Sequence, residues 1–154
     1  MIYLKVKNIS GQKIDFKKMV SKLKPFFSLV DNSHYPLYIF VHKKKNKEDL
    51  SYFDLENNQI HLKFDVNTQS KLELFWLICH EFFHFIQRNN KEIGKIAFSK
   101  ENRFIERVLE KYGYDKKYDV HDCFSYEIQA NTFATMLVGK FFKRHFLVKN
   151  GTKK

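Results

Sequence analysis

The run His80-Glu81-Phe82-Phe83-His84 sets two imidazoles four residues apart, with a carboxylate directly after the first. On an α-helix, at about 100° per residue, His84 stands only about 40° around from His80 and one turn above it, so both rings can grip one metal ion. Glu81 flanks the same arc. Its carboxylate faces the ion's open side, where it can take a proton from water rather than occupy a coordination position. A catalytic zinc site takes three protein ligands, so the pattern calls for a third group elsewhere in the fold.

The segment Glu127-Ile128-Gln129-Ala130-Asn131-Thr132-Phe133-Ala134 offers one. Glu127, Asn131 and Ala134 share a helical face, and a carboxylate there can bind the metal. Asn131, one turn on, can accept the free ring N–H of a ligand histidine and fix its tautomer. Ala130 and Ala134 lack bulk, which lets this helix approach the one bearing the histidines. His121, six residues before Glu127, is an alternative third ligand or a support for a developing oxyanion. Tyr118 and Tyr126 can give the same support through a phenol O–H.

HExxH followed by Glu-x-x-Ala-Asn-x-Phe-Ala resembles the ImmA/IrrE-type metallopeptidases of the gluzincin clan. The resemblance implies that His80, His84 and Glu127 bind zinc, that Glu81 is the general base, and that Asn131 supports a ligand histidine. It also implies a zincin-like sheet whose last strand, Gln59 to Phe64, is the edge on which an extended protein substrate aligns. By analogy that substrate is a regulatory protein, such as a repressor of a mobile element or phage. Two positions depart from the pattern: Arg88 stands where a further His is common, and Val138-Gly139-Lys140 where a Pro is.

The elements that must position these residues follow from periodicity. Ser70-Lys71-Leu72-Glu73 is a capping box, opening an apolar run that lasts to Ile86 and stops at Asn89-Asn90. Apolar residues surround that helix almost completely, so it crosses the core. A final helix is expected from Cys123 to Phe146, capped by Asp122, with Phe124, Ile128, Leu137, Val138 and Phe141 packing inward. Helices are also expected over Ile14–Val30, limited by Pro25, and over Lys100–Tyr112, ended by Gly113. Strands are expected at Ile2–Lys7, Leu37–His42, Ser51–Asp54 and Gln59–Phe64, the last two as a hairpin. The expected fold is α+β: a small mixed sheet packed on the HExxH helix and a Glu-bearing C-terminal helix, as one domain over residues 1–154 with a basic tail from about 147.

Composition sets the remaining bounds. With 44% apolar residues, 17% aromatics, five Gly and two Pro among 154 residues, the chain has the material for one core and lacks the signature of disorder. Cys79 and Cys123 form no disulfide framework and read as small core residues in a cytoplasmic protein. No run reaches the length of a membrane span. Twenty-eight Lys and Arg against 17 Asp and Glu give a net charge of +11, which suits acidic partners, yet only four are Arg. Nucleic acid is therefore an indirect partner through the basic surface. Two alternatives to an enzyme follow: a zinc-stapled binding module on the same scaffold, and a basic nucleic-acid-associated protein. Oligomeric state has no signature in the chain.

Overall fold

The computed structural model describes residues 4–30, 37–97, 107, 111 and 124–147. Four strands, β1 (Leu4–Asn8), β2 (Leu37–Lys43), β3 (Tyr52–Asp54) and β4 (Gln59–Phe64), form one mixed sheet in the order β1-β2-β4-β3. β1, β2 and β4 run parallel, and β3 returns antiparallel to β4 as the expected hairpin. Its turn is held by Asp54 Oδ1, which accepts from the backbone N–H of Glu56 and Asn57 at 3.0 and 3.2 Å, and Asn58 takes the positive φ of 52° that closes it.

Strand alternation sorts the sheet into two faces. Leu37, Ile39 and Val41 of β2 and Ile60, Leu62 and Phe64 of β4 are buried, whereas Tyr38, Phe40, His42, His61 and Lys63 point the other way. Against the buried face lies α2 (Lys71–Asn89), contributing Leu74, Phe75, Ile78, Cys79, Phe82, Phe85 and Ile86 to a single core. Each such side chain contributes roughly 1.5–3 kcal/mol by leaving water. The capping box is present: Ser70 Oγ accepts from the N–H of Glu73, and the Glu73 carboxylate accepts from that of Ser70. The fold is thus mixed α/β with helices packed on a four-stranded sheet. Among the described residues no helix is long and apolar enough to cross a membrane.

The last helix, α4 (Ser125–Leu147), lies against α2, with Ala130 and Ala134 fully buried between them. Its inward stripe is Phe124, Glu127, Ala130, Ala134, Leu137 and Val138; this turns Ile128 outward to 52% exposure, against the expectation that it packs inward. Near its end the helical backbone breaks at Phe142, whose ring, with those of Phe141 and Phe75, surrounds Lys22 Nζ at 4.5, 4.6 and 5.5 Å.

Two expectations need correction, and one helix is added to them. Ile14–Val30 is not one helix: α1 spans Lys17–Ser21 and a 3₁₀ turn spans Lys24–Leu29, because Pro25 has no N–H to offer the carbonyl of Ser21. Asn90 stops α2 as expected but also starts a helix that the periodicity does not reveal, α3 (Lys91–Ala97), its Oδ1 accepting from the N–H of Ile93 at 2.8 Å. And β4 is not the sheet edge; β3 covers it. The helix expected over Lys100–Tyr112 lies outside the described residues, apart from Arg107 and Lys111, which are helical. Asp122, Cys123 and the tail beyond 147 also lie outside them.

Gly94 brings α3 directly onto α2. A Cβ there would stand 2.4 Å from the backbone oxygen of Gln87. Gly94→Ala gains about 1 kcal/mol of helix propensity but must push two backbones apart, at a typical cost of 1–3 kcal/mol. The expected outcome is a Tm several degrees lower in thermal unfolding; an unchanged or higher Tm would show that the contact is slack.

Candidate metal centre

Polar residues near the middle of a helix that crosses the core must find partners, and α2 carries three. His80 is 9% exposed and Glu81 5%; Glu127, brought from α4, is 3% exposed. The Nε2 atoms of His80 and His84 are 3.1 Å apart. Glu127 meets both, Oε2 lying 3.2 Å from His80 Nε2 and Oε1 3.4 Å from His84 Nε2. Donors about 2.0–2.1 Å from one tetrahedral ion stand roughly 3.3 Å from each other. The three separations therefore match the edges of one coordination polyhedron. Glu81 belongs to the same cluster: ligand atoms of His80, Glu81 and His84 all lie within 4.8 Å of one another, and such a group can hold a metal ion.

A second histidine pair shows what a plain hydrogen bond looks like in this molecule. His42 Nε2 and His61 Nδ1, on the opposite face of the sheet, are 3.0 Å apart, but the rings are within 24° of coplanar with centroids 5.3 Å apart. They meet head-on, one N–H donating to the other ring's lone pair. Burial, followed by the charge of Lys63 for His42, lowers both imidazoles from their ordinary value, which favours the neutral form. The His80 and His84 planes instead cross at 85° with centroids only 4.7 Å apart, so their nitrogens converge from different directions.

Gln87 fixes the tautomer of His84. Its amide nitrogen donates to the backbone carbonyl of Tyr126 at 2.8 Å and to Gln129 Oε1 at 3.0 Å, which leaves its oxygen to accept from His84 Nδ1 at 2.8 Å. Nδ1 then carries the proton, and the neutral ring offers its Nε2 lone pair to the cluster. This is the contact expected of Asn131, which makes no hydrogen bond to either histidine among the described residues. The sequence signal for Gln87 was its i+3 spacing from His84 on one helix face. His80 is held by Trp76, stacked at 5.1 Å and 24°, whose indole N–H donates to Thr135 Oγ1 at 3.2 Å. The other nitrogen of His80, Nδ1, is buried with no hydrogen-bond partner among the described residues.

Burial alone pushes His84 toward the neutral form. The hydrogen bond to Glu127, the charges of Glu127 and Glu81, and Gln87 on Nδ1 outweigh it and raise the pKa above its ordinary value of 6.5. In the metal-free protein, protonated His84 thus adds stability that is complete below pH 6.5 and is lost as the pH rises through the raised value. Cys79, fully buried behind His80, has its thiol pushed up by burial and stays protonated, as a core residue does.

The cluster opens into a cleft of about 230 Å³. α2 contributes His80, Glu81 and His84, α4 contributes Tyr126 and Glu127, and the opposite wall is Ser51, Tyr52, Phe53 and Leu55. Tyr126 packs edge-on to His84 at 6.3 Å. Of the residues singled out from the sequence, the structure thus gathers His80, Glu81, His84, Glu127 and Tyr126 at one place; His121 and Tyr118 lie outside the described residues. The wall is β3, not Gln59–Phe64, because β4 is covered on both sides. No protein-family model, curated protein or solved structure matches the chain.

Two outcomes are expected. Gln87→Ala frees the His84 ring and should weaken metal binding about 10- to 100-fold in a chelator competition, while Asn131→Ala changes it little; the reverse ranking would reinstate Asn131. Because a metal must displace the His84 proton, affinity should fall as the pH drops through a value above 6.5, with proton release measurable by calorimetry in buffers of different ionisation enthalpy. Binding that is flat between pH 8 and 6 would exclude His84 as a ligand.

Proposed function

We propose that this chain is a cytoplasmic zinc-dependent metallopeptidase of zincin-like architecture, akin to the ImmA/IrrE type, acting on a protein substrate such as a regulator or repressor. The reading rests on one observation: two imidazole nitrogens and a carboxylate converge on a single buried point that opens into a cleft, with a second carboxylate beside it.

Two histidines and a glutamate are a donor set that zinc takes in hydrolytic sites, and the donor separations suit its bond lengths. His80 Nε2, His84 Nε2 and the Glu127 carboxylate would hold it. When bound, zinc supplies Lewis acidity that polarises a carbonyl and acidifies a water. Glu81 manages the proton: its carboxylate accepts one from the attacking water and returns it to the nitrogen of the leaving amine. Tyr126, on the cleft wall, can donate its phenol O–H to the developing oxyanion. β3, the edge strand among the described residues, offers a main chain beside which an extended peptide is aligned by hydrogen bonds. Burial of His80, Glu81 and Glu127 keeps bulk water from screening these charges.

Glu81→Gln should keep fold and zinc yet lose 10²–10⁴-fold in peptide hydrolysis, measured on the zinc-loaded protein, whereas Glu127→Ala should lose zinc itself by metal analysis. Full hydrolysis by the first variant would exclude Glu81 as the base. Firm zinc retention by the second would exclude Glu127 as a ligand.

A further inference from the structure

On the sheet face away from α2, strand register lines up Lys7, Phe40, His61 and Tyr52 in a single row across all four strands. The rings stand in a stack. Phe40 and His61 are 5.2 Å apart and 12° from parallel, and His61 and Tyr52 are 4.8 Å apart and 11° from parallel. One end of the stack is closed by Lys7, whose Nζ lies 5.6 Å from the Phe40 centroid. The other end is Tyr52, on the edge strand and 49% exposed, with its one ring partner among the described residues, His61, on the inner side. Tyr52 also lines the cleft of the metal cluster.

A peptide that adds to β3 as a fifth strand places one residue directly opposite Tyr52, with its side chain on the same face and its Cβ about 4.5–5.5 Å away. That is the spacing at which the row already repeats. Aliphatic side chains at this position gain only contact area, whereas a flat ring also gains the offset-stacking interaction. We infer that Tyr52 is a specificity-determining residue that selects substrates carrying Phe, Tyr or Trp at the position in register with it, the substrate ring extending the Phe40–His61–Tyr52 stack across the sheet edge. The inference rests on the peptidase reading for cleavage but not for binding.

The test uses the full chain loaded with zinc and a mixed oligopeptide library, with cleavage sites read by mass spectrometry. Aromatic residues should be enriched at one fixed distance from the scissile bond, by roughly two- to tenfold over Leu. Tyr52→Phe should keep that enrichment and Tyr52→Leu should abolish it, with circular dichroism confirming that both are folded. Cleavage without aromatic enrichment, or the same enrichment in Tyr52→Leu, overturns the inference. A parallel arm measures fluorescence-anisotropy binding of alanine-based peptides bearing one Phe or one Leu to the zinc-loaded Glu81→Gln protein. Tighter binding of the Phe peptide that Tyr52→Leu removes, with no peptide cleaved by the parent, refutes the peptidase reading and upholds the role of Tyr52. Equal binding of the two peptides overturns that role.

Discussion

Glu127 reaches from α4 into the middle of α2 and meets two imidazoles there, and most of the architecture is arranged around that contact. A carboxylate 3% exposed is costly to bury unless charge and hydrogen bonds compensate it. α2 contributes to that compensation by presenting His80 and His84 one turn apart at the required height. The two helices can draw close enough because Ala130 and Ala134 occupy the contact. Gln87 joins the same pair again, reaching from α2 to the backbone of Tyr126 and the side chain of Gln129. The site and the packing of α2 on α4 are therefore one structure, with the sheet as the platform that α2 rests on.

That dependence runs outward. The capping box at Ser70 fixes where α2 begins, and thus which residues reach its centre. Asn90 ends the helix and starts the next, so α3 folds back until Gly94 touches the carbonyl of Gln87, the residue that orients His84. Placement of one imidazole thus draws on a glycine seven residues beyond the amide that holds it. On the opposite side Phe53 of β3 packs edge-on against Phe85 at 6.0 Å, seating the edge strand beside the cleft.

Much of this was legible in the residues alone. HExxH within a strongly apolar run, the Ser70–Glu73 box and the alternation of Gln59–Phe64 are local patterns, and each fixes its element without help from the rest of the chain. What escaped was set by tertiary context. Nothing local distinguishes an Asn that stops a helix from one that also caps the next, so α3 has no signature of its own. The edge at Gln59–Phe64 is an implication of the family resemblance, and the structure instead places β3 on the outer side of β4. Ile128 is an apolar residue expected to pack inward, whereas the buried stripe of the helix runs through Glu127, Ala130 and Ala134. Gln87 took the contact expected of Asn131 because the partner of a histidine is chosen by distance across the fold.

β3 is only three residues long and ends in the tight turn anchored by Asp54. An exposed strand edge invites the edges of other sheets, and proteins limit that hazard by keeping such strands short. Three residues offer few rungs for a second copy of the sheet to zip onto. That brevity limits how far this strand edge can template another sheet.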